Sequence, residues 1–191
     1  MKIKIGIAAA VFFLSLIISP SLFSIAAIIS AFFHELGHIF AARLLGIELR
    51  ELRLGIFGAR ITPKGEITSY GKETILCFAG PAVNILTFLF FSFISYKDNS
   101  FFQALALSSL SLGALNLLPI KSFDGGRILE ATLLRFLPLS VASAIVDTLS
   151  FILIFALWSL SVYLLLRLSL SLSLFIFSCS LFLKLFMSDH G

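Results

Sequence analysis

Inside an apolar stretch of the chain stand His34, Glu35, Leu36, Gly37 and His38, the pattern H-E-x-x-H. On a helix, residues four apart share a face, so both imidazoles can reach one ion. Glu35 is not needed as a ligand and can instead take a proton from a metal-bound water. Zinc chemistry of this kind needs neutral nitrogen ligands, an open coordination position and a base; the pentapeptide lacks only a third ligand. The bland alternative is a solvated helix end. Against it stands the cost of titratable groups in a spanning helix, roughly 2.5–3.5 kcal/mol each on insertion scales. Three such groups within five residues demand a compensating partner. The other histidine, His190, lies in the C-terminal tail with no partner pattern around it.

The third ligand must come from elsewhere. Glu48, Glu51, Glu66 and Glu73 belong to a glycine-rich loop, Asp98 to the opposite side of the membrane and Asp189 to the tail. Asp124 follows an apolar run, in the segment Asn116-Leu-Leu-Pro-Ile-Lys-Ser-Phe-Asp-Gly-Gly. Pro119 stops the preceding helix, and Gly125 and Gly126 give the backbone freedom to turn the carboxylate inward. The competing role for Asp124 is that of N-cap for a helix over Gly125–Leu137. A further polar feature is Ala79-Gly-Pro-Ala-Val-Asn84. Gly80-Pro81 is expected to break the helix there, which a membrane tolerates only where protein or a water-filled cavity covers the backbone. Asn84 can hold a substrate backbone or stabilise an oxyanion, or else serve as an interhelical structural residue. Asp147 is an isolated carboxylate, expected to pair with Arg135 or Arg127 or to sit at the interface.

The elements that position these residues belong to a membrane. Of 191 residues, 59% are hydrophobic and 13% charged, against about 25% charged in a soluble domain. Mean hydropathy is +1.09. A soluble globule of this size could not bury so much apolar surface, and a disordered chain would not carry it. The net charge of +4 would suggest nucleic acid in a soluble protein. Here the basic residues sit in short loops between apolar runs and read as topology signals, so no nucleic-acid partner is expected. Cys77 and Cys179 each lie inside an apolar run, giving no disulfide framework and no thiolate metal site.

Six apolar runs follow one another, at about Ile5–Ser19, Leu22–Leu45, Thr74–Ser95, Phe101–Leu118, Leu139–Leu166 and Leu168–Met187. The first, short and preceded by Lys2 and Lys4, resembles a signal peptide but lacks an A-x-A site, and is expected as a retained helix. The fold class expected is thus an all-α integral membrane protein of about six spans. With six spans, Lys2, Lys4, Arg43, Arg50, Arg53, Arg60, Lys64, Lys72, Lys121, Arg127, Arg135 and Lys184 share one side. Only Lys97 and Arg167 fall on the other, so both termini should be cytoplasmic and the protein multi-pass in the cell membrane. Between the second and third runs, residues 46–72 hold five glycines and short alternating stretches around Arg53, so a small membrane-associated β-hairpin or sheet is expected there.

The three polar elements in this order resemble the site-2 protease family of intramembrane zinc metalloproteases. The family pattern is H-E-x-x-H, then Gly-Pro-x-x-Asn, then N-x-x-P…D-G, matched here at 34–38, 80–84 and 116–125. Phe57-Gly-Ala-Arg-Ile61 and Ser69-Tyr-Gly-Lys-Glu73 further resemble the sporulation pro-sigma-factor processing branch. Only 31 residues separate Asn84 from Asn116, leaving no space for a PDZ domain. The chain is expected to be one polytopic domain over 1–191, with its core at about 22–137 and no CBS domain, a departure from sporulation-type members that carry one. The resemblance implies His34, His38 and Asp124 as ligands of one zinc ion per chain and Glu35 as general base. It further implies substrate positioning by Asn84, Gly80, Pro81 and Asn116.

The function so implied is a zinc metalloendopeptidase that cuts a membrane-tethered protein, of regulatory pro-sigma or anti-sigma type, in or near its transmembrane segment. The lipid bilayer and regulatory membrane proteins are the other expected partners. Two further classes stay open on the residues alone. A zinc transporter would also gather His and Asp but needs no base, and a catalytically silent scaffold leaves Glu35 without a role.

Overall fold

The computed structural model describes residues 2–5, 21–47, 49–55, 58–63, 69–94, 100–168, 175 and 177–183. It divides into two compact units, Met1–Leu117 and Leu118–Gly191.

In the first unit, three strands form one sheet in the order β1 (Lys2–Ile5), β2 (Leu49–Gly55) and β3 (Gly58–Pro63). β2 and β3 run antiparallel with Leu52 opposite Ile61 and Gly55 opposite Gly58, and β1 lies parallel to β2 with Ile3 opposite Leu52. Ile5 therefore ends a strand rather than opening a helix. The reason is tertiary, since a four-residue segment with alternating Lys and Ile gains its hydrogen bonds from β2 and not from its own neighbours. The remainder of that first apolar run, residues 6–20, lies outside the described residues.

Helix α1 (Leu22–Leu44) opens with Ser21, whose Oγ accepts the Ser24 backbone N–H at 3.0 Å. It closes on Gly46, whose φ of 66° is a conformation glycine adopts without a Cβ clash. The Gly46 N–H donates to Arg43 O and the Ile47 N–H to Ala42 O, the paired bonds of a Schellman stop. Ala26, Ser30, His34, His38 and Ala42 recur every four residues and are all buried, with Gly37 and Ala41 beside them. Phe23, Phe32, Phe40 and Leu44 are exposed on other faces. Small residues inward and large apolar ones outward is the order expected where lipid, not water, surrounds a helix.

Helix α2 (Tyr70–Ile94) lies against α1. Its start is tied down by Lys72 Nζ, which donates to Leu45 O at 3.2 Å. Gly80-Pro81 does not break it: the helix is continuous across both residues. Proline withholds only its own N–H, and one missing bond in a 25-residue helix is outweighed by packing on both sides. Helix α3 (Ser100–Asn116) completes the unit, with Ala104 and Leu105 packed on Ala26. A Cβ on Gly113 would stand 3.2 Å from Asn84 Cβ, so α3 approaches α2 closely at that level.

The second unit holds α4 (Asp124–Leu133) and α5 (Leu139–Leu168), with helical residues 177–183 beyond. Ser161 and Ser178 share a buried hydrogen bond at 3.0 Å, and Trp158 and Phe151 meet Phe182 edge-on. Among the described residues, three helices are long and apolar enough to cross a membrane: Leu22–Leu44, Tyr70–Ile94 and Leu139–Arg167. Of the six expected, the first falls largely outside the described residues. The fourth is a 17-residue helix, at the short end of the spanning range, and only part of the sixth is described.

Candidate metal centre

His34 and His38 are buried, and their ring centroids are 4.7 Å apart. The two Nε2 atoms face each other at 3.1 Å. Each ring is held from behind through Nδ1. His38 Nδ1 donates to the Leu76 carbonyl at 2.8 Å, which fixes its proton there and leaves the Nε2 lone pair facing His34. His34 Nδ1 meets the Asn84 side-chain amide at 3.1 Å. Asn84 is wholly buried, and its Oδ1 has no hydrogen-bond partner among the described residues.

This arrangement fits a zinc ion. Two nitrogens each about 2.0–2.1 Å from a tetrahedral zinc stand about 3.3 Å apart, close to the observed separation. Two neutral imidazoles present their Nε2 lone pairs together only if a cation lies between them or one nitrogen carries a proton. As it stands the chain is a relay: Asn84 N–H donates to His34 Nδ1, and His34 Nε2–H donates to His38 Nε2. A His34 that ligates zinc through Nε2 would carry its proton on Nδ1, where an acceptor is needed. The buried Asn84 Oδ1, on the same amide and without a hydrogen-bond partner among the described residues, would be the acceptor for that N–H.

Two glycines make the space. A Cβ on Gly80 would abut His38 Nε2 and lie 2.7 Å from His34 Nε2, within the volume the two nitrogens face. A Cβ on Gly37 would stand 2.6 Å from the Ala79 carbonyl oxygen, so Gly37 lets the two helix backbones approach. Gly37 and Leu76 both escaped the sequence reading. Gly37 is the unspecified fourth position of H-E-x-x-H, and the part played by Leu76 is a backbone carbonyl, which no residue type announces.

Glu35 lies on α1 between the histidines, half-buried, with Oε2 shielded from solvent. Asn116 is the last residue of α3 and turns its amide back onto Leu112 O at 3.1 Å. In the second unit, Asp124 is the first residue of α4. Its N-cap is Phe123, extended at φ −108° and ψ 167°, with no side-chain capping bond. Asp124 is therefore not the N-cap; a carboxylate in the first helical turn still gains from the positive end of the helix. Asp147 pairs with Lys121 at 2.7 Å rather than with Arg135 or Arg127. Lys121 sits in the loop before α4, which brings its ammonium to α5.

Peptidase family M50 matches residues 22–99 and 96–157. A zinc metalloprotease of Methanocaldococcus jannaschii is 30% identical over 148 residues, covering 72% of this chain and 43% of that protein. The chain spans less than half the length of the curated relatives it matches. Among solved structures, the site-2 protease from Methanocaldococcus jannaschii superposes with a TM-score of 0.69 at 24% identity, over 97% of this chain and 89% of that one. That likeness establishes the shared fold. The match of the family over both helical units, together with the paired histidines beneath Gly80, places this chain in peptidase family M50, the site-2 protease family of membrane zinc metalloproteases.

Proposed function

We propose that the chain is a zinc metalloendopeptidase that hydrolyses a peptide bond in or near the transmembrane segment of a membrane-tethered substrate, of pro-sigma or anti-sigma type. The observation that carries this reading is the pair of Nε2 atoms at 3.1 Å, each ring anchored through Nδ1, beside a carboxylate on the same helix. In the proposal His34, His38 and Asp124 hold one zinc ion. Asp124 enters on the strength of its Asp-Gly-Gly segment after Asn116-Leu-Leu-Pro119.

When bound, zinc would polarise the scissile carbonyl and lower the pKa of a coordinated water to about 7. The remaining work belongs to side chains. Glu35 accepts the proton of the attacking water and returns it to the leaving amine. Leu76 and Asn84 keep both imidazoles turned toward the ion. Asn84, Gly80, Pro81 and Asn116 position the substrate, Asn84 from a place already bonded to His34. A helical substrate hides its peptide bonds and must unwind; the glycine-bordered sheet can hold the extended segment by strand addition.

The test is cleavage of a tethered reporter by the purified chain in liposomes. Cleavage should disappear on chelation and return with added zinc, whereas a transporter or scaffold leaves the reporter intact throughout. His34→Ala and His38→Ala should each lower the zinc content measured by metal analysis, because each removes one nitrogen from a three-ligand site. Full zinc in both would reject the ligand assignment. Topology belongs to the same proposal, with both termini and residues 46–72 cytoplasmic. In a background with Cys77 and Cys179 replaced by Ala, an impermeant thiol reagent applied to intact cells should label Asp98→Cys and miss Lys64→Cys. The opposite labelling would invert the assigned orientation.

A further inference from the structure

Asp147 is the sole acidic residue of α5, and it lies eight positions into an apolar span of Leu139–Arg167. A carboxylate within an apolar span is unfavourable unless it is compensated. Its compensation is specific: Lys121 Nζ stands 2.7 Å from Asp147 Oδ1. One turn further along the same face, Ser150 Oγ accepts the Lys121 backbone N–H at 2.8 Å and donates to Val146 O at 2.6 Å. Ser150 is wholly buried. Lys121 is thus gripped at both its main chain and its side chain by one face of α5.

The segment so gripped is short and stiff. Ile120 is fully buried, its N–H donates to Leu118 O, and its carbonyl accepts the Phe123 N–H at 2.8 Å. A Cβ on Gly126 would collide with the Ile120 carbonyl, so the first turn of α4 lies directly on this loop. Asp124 is three residues from Lys121, with the buried Phe123 between. Displacing Lys121 therefore displaces the start of α4 and the carboxylate it carries.

We infer that Asp147 and Ser150 are positioning residues that hold, through Lys121, the loop delivering Asp124 to the metal. The inference rests on the assignment of Asp124 as a zinc ligand under the proposed function. Supporting groups of metal ligands alter metal affinity about 10–100-fold when removed, which sets the scale expected for this clamp.

The experiment uses the full chain in detergent, with zinc affinity measured against a competing chelator and the absorption spectrum recorded after cobalt substitution. Asp124→Asn is run beside Lys121→Gln, Asp147→Asn and the double variant. Each single variant should weaken zinc binding about tenfold or more and shift the cobalt spectrum, and the double variant should be no weaker than either single one. Lys121→Arg, which keeps the ion pair, should stay near wild type. Should Asp147→Asn fail to accumulate, Ser150→Ala supplies the same measurement through the main-chain contact. Wild-type affinity and spectrum in Lys121→Gln and Asp147→Asn, with Asp124→Asn impaired, overturn the clamp and leave the ligand assignment standing. Wild-type binding by Asp124→Asn overturns both. Loss of binding in Lys121→Arg equal to that in Lys121→Gln also counts against the ion pair.

Discussion

Glu35→Gln is expected to bind zinc as the wild-type chain does and to leave a tethered substrate uncut. The two properties separate because different atoms carry them. The proposed ligands are untouched, and the bonds that orient the imidazoles come from Leu76 and Asn84 on α2. Glutamine matches glutamate in shape and in helix propensity, so α1 keeps its packing. It has no basic oxygen to receive a proton from water. A positioned general base contributes typically 10²–10⁴-fold, so cleavage should fall by at least about 100-fold. Metal analysis and a cleavage time course on the same preparation read both properties. Turnover at the wild-type rate would remove Glu35 from the chemistry. A transporter or a scaffold would be indifferent to this substitution in its own assay.

Gly80→Ala should have an effect nearly as large by a different route. The added methyl falls against the Nε2 atoms of both histidines, where the ion belongs in the proposed site. What it meets are the ends of two side chains and not backbone, so the rings can rotate away and the protein can still fold. Rotation breaks the bonds to Leu76 and Asn84 and turns the lone pairs off a common point. Zinc affinity should drop by more than about tenfold, with cleavage lost and helical content and membrane insertion unchanged. Gly37→Ala is the informative contrast. Its Cβ would meet the Ala79 carbonyl, which belongs to a helix backbone and cannot step aside, so α1 and α2 must separate. That variant should lose thermal stability along with zinc. Full zinc occupancy in Gly80→Ala would mean that the ion does not lie between the two Nε2 atoms.

Much of this was legible in the amino-acid sequence. The membrane character follows from composition alone, because 59% hydrophobic residues in 191 exceed what a soluble surface can tolerate. The pairing of His34 with His38 follows from helical period, a local property that four residues suffice to specify. What lay beyond the sequence is non-local. No spacing rule reveals that a carbonyl of Leu76, 38 residues away, sets the tautomer of His38. Asn84 could be flagged as a polar residue in an apolar run, but only the crossing of α1 and α2 at Gly37 and Gly80 put its amide on His34. Gly80-Pro81 looked like a helix break because local rules count the missing N–H, and packing on both sides overrode it. Lys2–Ile5 looked like the flank of a first helix, and pairing with β2 made it a strand. Asp147 was an isolated charge until the loop before α4 brought Lys121 to it. Periodicity and composition act over a turn of helix or over the whole chain. Partner choice between distant segments depends on which backbones can approach, and only the tertiary structure decides that.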